Sequence, residues 1–254
     1  MLSFLRISVL LFFLSTGFLA AQQRLLIGAA SDLQFALDSV VKAYQGQTDG
    51  VVDVVYASSG KLFEQISYGA PFHLYFSADI VYPTRLYENG LTASEVYAYG
   101  VGKIVVWSKT IDLSSEEMSI FLQPSVKKIA VANPRHAPYG RGGIEALTYF
   151  KLLDSIESKL VYGENISQTA QFVTSGAADI GIIALSLALS SNMQKQGGSY
   201  FIIPGESYNP LVQGAVVTQK GKDHPAALEF FEFIKSERAH AIFAHFGFEK
   251  AIGL

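Results

Sequence analysis

Apolar and polar positions divide this chain into strand-like and helix-like segments in regular succession. "RLLIGAA" (24–30) is an apolar run that reads as a strand. "SDLQFALDSVVKAYQ" (31–45) follows with apolar residues at Leu33, Ala36, Leu37, Val40 and Val41, the spacing of one helical face. "VVDVVYAS" (51–58), "KLFEQISYG" (61–69) and "HLYFSAD" (73–79) continue as strand, helix and strand. This βαβαβ rhythm predicts a mostly parallel sheet flanked by helices. Further on, "GKIVVWS", "KKIAVANP", "KLVYGE", "ADIGIIALS" and "SYFIIP" read as strands, with helices at "YGRGGIEALTYFKLLDSI" and "SQTAQFVTSG". "LVQGAVVTQ" (211–219) is a last strand, and "HPAALEFFEFIKSERAHAIFAHFG" (224–247) reads as one long terminal helix.

The pattern therefore predicts an α/β protein of two halves. Turn-rich segments near 99–102 and 205–211 mark the crossings between them. The first half is expected to be discontinuous, residues 24–101 plus 208–254, with 102–207 forming the second. In open α/β sheets ligands sit beyond the carboxyl ends of the strands. Ser31 and Ser58-Ser59 fall there, each between a strand and a helix. Ser31, with Gln34 three residues on, also has the form of a capping box. One serine at a helix start is explained by capping alone. Two that converge on one sheet edge would offer hydroxyls and free amides to an anion.

The N-terminus changes the picture. "MLSFLRISVLLFFLSTGFLAAQQ" has one early cation, Arg6, then an apolar run and small residues at Ala20 and Ala21. It is too short for a comfortable membrane span and is expected to be a cleavable signal peptide, residues 1–21, directing the protein to the periplasm. An uncleaved anchor is the competing reading. The absence of cysteine excludes disulfides, thiolate metal ligands, a thiol nucleophile and a lipoprotein N-terminus. The net charge is −3, and loss of Arg6 makes it −4, so nucleic acid is not an expected partner. Any anion site must work by local dipoles.

Enzymatic motifs are missing. Lys61 follows Gly60 but lacks the earlier glycine and the hydroxyl residue of a phosphate loop, and "YGRGG" has Glu145 where a dinucleotide fingerprint needs its third glycine. No G-x-S-x-G elbow occurs. His240 and His245 are five apart, off the shared helical face of a zinc pair, and His73, His136 and His224 are expected on surfaces or loops. No catalytic residue and no cofactor are expected.

"GAASDLQFAL", "YASSGKLFEQISYGAPFHLYFSAD", "IAVANPRHAPYGRGGIEAL" and "VYGENISQTAQFVTSGAADIGIIALS" stand in the order in which similar segments occur in periplasmic molybdate-binding proteins, the substrate receptors of ABC importers. The resemblance covers essentially the whole chain after the signal. It implies a two-lobed periplasmic binding protein fold (type II), a monomer that closes on molybdate or tungstate and docks to the permease subunits. Carried over by position, the ligand contacts fall on Ser31 and Ser59 and on the amides of Tyr139 and Ile166. All four touch the oxyanion oxygens, and the molybdenum itself is not coordinated. Some members of that family use a tyrosine hydroxyl where Ala184 stands here.

A donor-only pocket suits molybdate, which has no proton at neutral pH, whereas phosphate keeps one that such a pocket leaves unpaired. Sulfate must be excluded by size. Receptors for sulfate, phosphate or another tetrahedral oxyanion are the alternatives. Asp32 decides between some of them, because a carboxylate turned into the cleft would accept a phosphate proton. It is expected instead at the first helical turn, facing solvent. Arg141 is likewise expected on a solvated helix face.

Overall fold

The computed structural model describes residues 24–114 and 117–251. The expected signal peptide lies outside them. The first half runs β1 (Leu25–Ala30), α1 (Gln34–Gln45), β2 (Val52–Ala57), α2 (Ser59–Ser67), β3 (Leu74–Ser77), α3 (Val81–Glu88) and β4 (Tyr97–Gly102). The chain then enters a second sheet: β5 (Ile104–Ser108), β6 (Ile129–Ala132), α4 (Pro138–Tyr149), α5 (Leu153–Ile156), β7 (Leu160–Gly163), α6 (Ile166–Thr174), β8 (Ile180–Ala184), α7 (Leu185–Ala188), α8 (Ser191–Lys195) and β9 (Ser199–Ile202). It returns through β10 (Leu211–Val217), α9 (Pro225–Phe233) and α10 (Glu237–His245).

The two five-stranded sheets have orders β2-β1-β3-β10-β4 and β7-β6-β8-β5-β9. In the first, β1 pairs in parallel with β2 and β3, while β10 is antiparallel to β3 and β4. The second repeats this, with β6 parallel to β7 and β8, and β5 antiparallel to β8 and β9. Each sheet is thus mixed: four strands point one way and one runs against them. The cause is the crossing: the strand by which the chain arrives, β5 or β10, is inserted fourth in the order and runs against its neighbours. Crossover helices supply only the three strands on the other side.

The apolar faces do what their spacing predicts. Ala36, Leu37, Val40, Val41 and Tyr44 of α1 are buried against the first sheet with Phe230, Phe231 and Phe243. The opposite face packs Leu62 and Ile66 of α2 beneath Tyr75 and Val216. A second core surrounds β5, β6 and β8. The terminal helix is two helices, because Ser236 caps a new one, accepting from the Ala239 amide at 3.3 Å.

The chain crosses at Lys103 and through 203–210. At the first crossing Gly102 is required by packing: a Cβ there would lie 2.1 Å from the Tyr139 hydroxyl oxygen and 2.6 Å from Gln213 Nε2. A polar cluster is pressed against the backbone that joins the halves.

Candidate functional site

Where the sheets face each other, the strand ends release several helices toward one point. A small pocket there is lined by Ala30, Ser31, Asp32, Ala57, Ser58, Ser59, Ala78, Ala137, Pro138, Tyr139 and Ile166. The structure thus brings Ser31, Ser59, Tyr139 and Ile166 together, two from each half. Ser59 and Ile166 are the first residues of α2 and α6, and Tyr139 is the second of α4. Amides in a first helical turn have no intrahelical acceptor and sit at the positive end of the helix dipole. Pro138 suits the start of α4, where a missing N–H costs nothing. Larger cavities lie elsewhere on the surface.

Ser31 does not form the capping box. It opens the 3-10 turn Ser31–Leu33 with no side-chain cap bond. Its Oγ instead faces Ser167 of α6, whose amide lies 3.4 Å away, and its carbonyl accepts the Ser167 hydroxyl at 2.8 Å. Gln34 also serves the other half, with Oε1 3.4 Å from the same hydroxyl. Ser59 Oγ accepts the Ala78 amide at 3.0 Å. The N-cap of α2 is Ser58, whose hydroxyl is buried with no partner. Ser58 was passed over in favour of its neighbour; two adjacent serines before one helix were the available signal.

Asp32 overturns its expected orientation. It is 1% exposed, lines the pocket, and accepts Gln213 Nε2 on Oδ2 at 2.9 Å, while Oδ1 has no partner. The 3-10 turn explains the difference: it rotates this position inward, where α6 and α7 cover it. Ser186 of α7 donates to its carbonyl at 2.7 Å. Burial pushes the carboxyl up to about 6, against weaker lowering by hydrogen bonds from Gln213 and Tyr139. Gln213 Nε2 also meets the Tyr139 hydroxyl at 2.9 Å, and its Oε1 takes the Tyr99 hydroxyl at 2.6 Å. Gln213 was not foreseen. Its signal was an uncharged polar residue inside the apolar strand "LVQGAVV". Ala184 ends β8 outside the pocket lining.

Contacts between the halves surround the pocket. The Gly60 amide donates to the His136 carbonyl at 2.9 Å. Lys61 pairs with Glu164, which also lies 3.1 Å from His136 Nε2, and the Lys61 hydrogen bond holds the Glu164 carboxyl below its usual range. Arg141 is not simply solvated: it reaches across to Asp79. His73 and His224 lie in loops, within the expectation, and meet there. Their rings stack at 4.3 Å, His73 Nδ1 accepts the Leu26 amide at 3.0 Å, and His224 is buried.

Two mixed α/β halves joined by two crossings, with helix starts from both converging on one small pocket, have the architecture of a solute receptor. The chain belongs to the bacterial extracellular solute-binding protein family, whose sequence model matches residues 25–249. Within that class it is 31% identical to the molybdate-binding protein ModA of Azotobacter vinelandii, over 87% of this chain and 88% of that one. ModA of Rhodobacter capsulatus is 30% identical over 90% and 89%. The solved periplasmic molybdate-binding protein of A. vinelandii superposes with a TM-score of 0.84, covering 89% of this chain and 99% of that one at 30% identity. The motif resemblance to molybdate-binding proteins and the two-lobed fold are both borne out. The sulfate-binding protein SubI of Mycobacterium tuberculosis, at 14% identity and a TM-score of 0.73, shares the fold alone.

Proposed function

We propose that this protein is a periplasmic receptor that holds molybdate, and tungstate as well, between its lobes and delivers it to the permease of an ABC importer. The lobes are residues 24–101 with 208–254 and residues 102–207, and residues 1–21 are removed on export. The observation that carries the reading is the pocket: three helix starts and the unpartnered Ser58 hydroxyl point uncharged donors at one small space. The ModA relatives name the anion. Ser31 and Ser59, with the amides of Tyr139 and Ile166, are the contacts from the two lobes. Joining donors from both lobes is what makes ligand binding close the cleft, and the closed shape is what the permease reads.

Asp32 favours a second reading. An ionised carboxylate in the pocket would accept the proton of hydrogen phosphate and repel a dianion that has no proton to give. Titration calorimetry of the mature protein with molybdate, tungstate, sulfate and phosphate decides between them. Molybdate and tungstate binding with no phosphate heat is the expected result; preferential phosphate binding ends the molybdate reading.

A further inference from the structure

Among the described residues, the buried side-chain atoms without a hydrogen-bond partner belong to Asp32, Ser58 and His224. Two of these residues line the pocket. Ser58 presents a hydroxyl, which can donate. Asp32 Oδ1 as a carboxylate could only accept, and no donor reaches it in the structure. An unpaired, ionised oxygen at such a place is costly twice: it lacks a hydrogen bond, and it faces an arriving dianion with no water between them. One proton on Oδ1 removes both problems. It turns the orphan acceptor into a donor of the same kind as its neighbours. Gln213 does not oppose this, because its N–H on Oδ2 at 2.9 Å is accepted by a neutral carboxyl as well.

We propose that Asp32 is a specificity-determining residue of this pocket: it enters the complex as a neutral carboxyl whose Oδ1–H donates to one oxygen of the bound dianion, so that each molybdate captured takes up one proton from solvent. The proposal rests on the molybdate reading above. The only covalent change is the Oδ1–H bond, made with a proton from solvent. A carboxylate, a solvent proton and the dianion become a carboxylic acid hydrogen-bonded to the dianion.

The surroundings leave Asp32 as the group that titrates. Facing it are Gln213 of β10, which is uncharged, and Tyr139 of α4 and Tyr99 of β4, whose hydroxyls burial holds well above the ordinary tyrosine range. The helices packed on its turn are α1, α6 and α7. Neither α6 nor α7 carries an ionisable side chain. Those of α1 are turned elsewhere: Asp38 accepts from Tyr56, Tyr44 donates to Glu229, and Lys42 is exposed. Burial raises this carboxyl to about 6, so near neutral pH a proton taken up with the dianion comes from solvent. Affinity for the dianion then falls about tenfold for each pH unit above that value.

The test is calorimetry of molybdate binding in buffers of different ionisation enthalpy, for the wild type and for Asp32→Asn, whose amide N–H donates at every pH. Wild-type protein is expected to take up about one proton per molybdate near neutral pH and to lose about tenfold in affinity per pH unit on going alkaline. Asp32→Asn is expected to bind with no proton uptake and with a flat pH profile. Wild-type binding without proton uptake overturns the proposal, as does undiminished uptake in Asp32→Asn. Should the variant fail to fold, the wild-type buffer series decides alone. Failure of the underlying reading looks different: molybdate binds to neither protein at any pH, or phosphate binds in its place, and both conclusions then fall together.

Discussion

At Gly60 the two lobes meet backbone to backbone beside the pocket, and Gly60→Ala separates folding from closure. The glycine sits in the first turn of α2, and its amide donates to the His136 carbonyl of the other lobe at 2.9 Å. A Cβ at this position would lie 2.8 Å from His136 Cβ and 3.0 Å from both its Cα and its carbonyl oxygen. Two of those atoms are backbone and cannot rotate away. Ordinary carbon contacts begin near 3.5 Å, so the lobes must part by roughly 0.5–1 Å. That separation stretches the cross-lobe bond and pulls donors of one lobe off the ligand. Losing one neutral and one charge-assisted hydrogen bond costs about 2–4 kcal/mol. At about 1.4 kcal/mol per tenfold, molybdate affinity drops roughly thirtyfold to several-hundredfold.

The same substitution is harmless to the separate lobes. Alanine is favoured over glycine in a helix by up to about 1 kcal/mol, so the ligand-free melting temperature is expected to hold or rise by a few degrees. The assay is therefore paired: calorimetry for affinity, and thermal unfolding with and without saturating molybdate. A stable variant whose ligand-induced shift has collapsed supports closure to this geometry. Unchanged affinity refutes it, because lobes that never meet at Gly60 and His136 cannot feel the added methyl.

Ser58→Ala removes an unpartnered buried hydroxyl, so ligand-free stability should hold while molybdate affinity falls by about tenfold or more, read by the same two assays. Asp32→Asn should stabilise the ligand-free protein at neutral pH. The carboxyl rises from 3.8 unfolded to about 6 folded, so the folded state binds more protons between those values, and the associated stability, present below about pH 4, is lost as pH rises through 6. A shift of about two units is worth about 3 kcal/mol, so urea unfolding that shows no gain near pH 7.5 contradicts it. Lys61→Ala and Arg141→Ala each cut a half-exposed pair between the lobes, and each should weaken binding only a few-fold, less at high salt. A loss beyond about fiftyfold in either would assign those residues to the ligand itself.

The strand and helix succession was legible because each element buries one periodic face, as Ala36, Leu37, Val40 and Val41 do. So was the convergence of Ser31, Ser59, Tyr139 and Ile166, through motifs shared with a known family. Sheet direction was not. Local pattern cannot reveal that β5 and β10 enter antiparallel, because that depends on where a chain arriving from the other lobe finds an open edge. Asp32 was misjudged for a related reason. Placing it on a solvated first turn assumes a lone helix, whereas a 3-10 turn and a second lobe cover it. Arg141 fails the same way, finding its partner Asp79 across the cleft. His73 and His224, 151 positions apart, reveal their stacking only in three dimensions.

Selectivity in such a pocket divides between two physical tests, and they act on different competitors. Proton count separates dianions without a proton from hydrogen phosphate, and it is set by the state of one carboxyl, Asp32. It does nothing against sulfate, which is as fully deprotonated as molybdate. That discrimination must come from the spacing of the donors. Here the walls matter: Ala30, Ala57, Ala78 and Ala137 line the space between the helix starts. A Cβ is too short to swing aside, so the width of the cavity is fixed by how closely the backbones of the two lobes approach. The Gly60 contact sets that approach. A smaller anion leaves some donors beyond the ~3.2 Å at which N–H···O bonds are good, and the lobes cannot follow it inward once Gly60 meets His136. One residue without a side chain thus controls size, while one carboxyl controls charge, and the fold shared with a sulfate receptor controls neither.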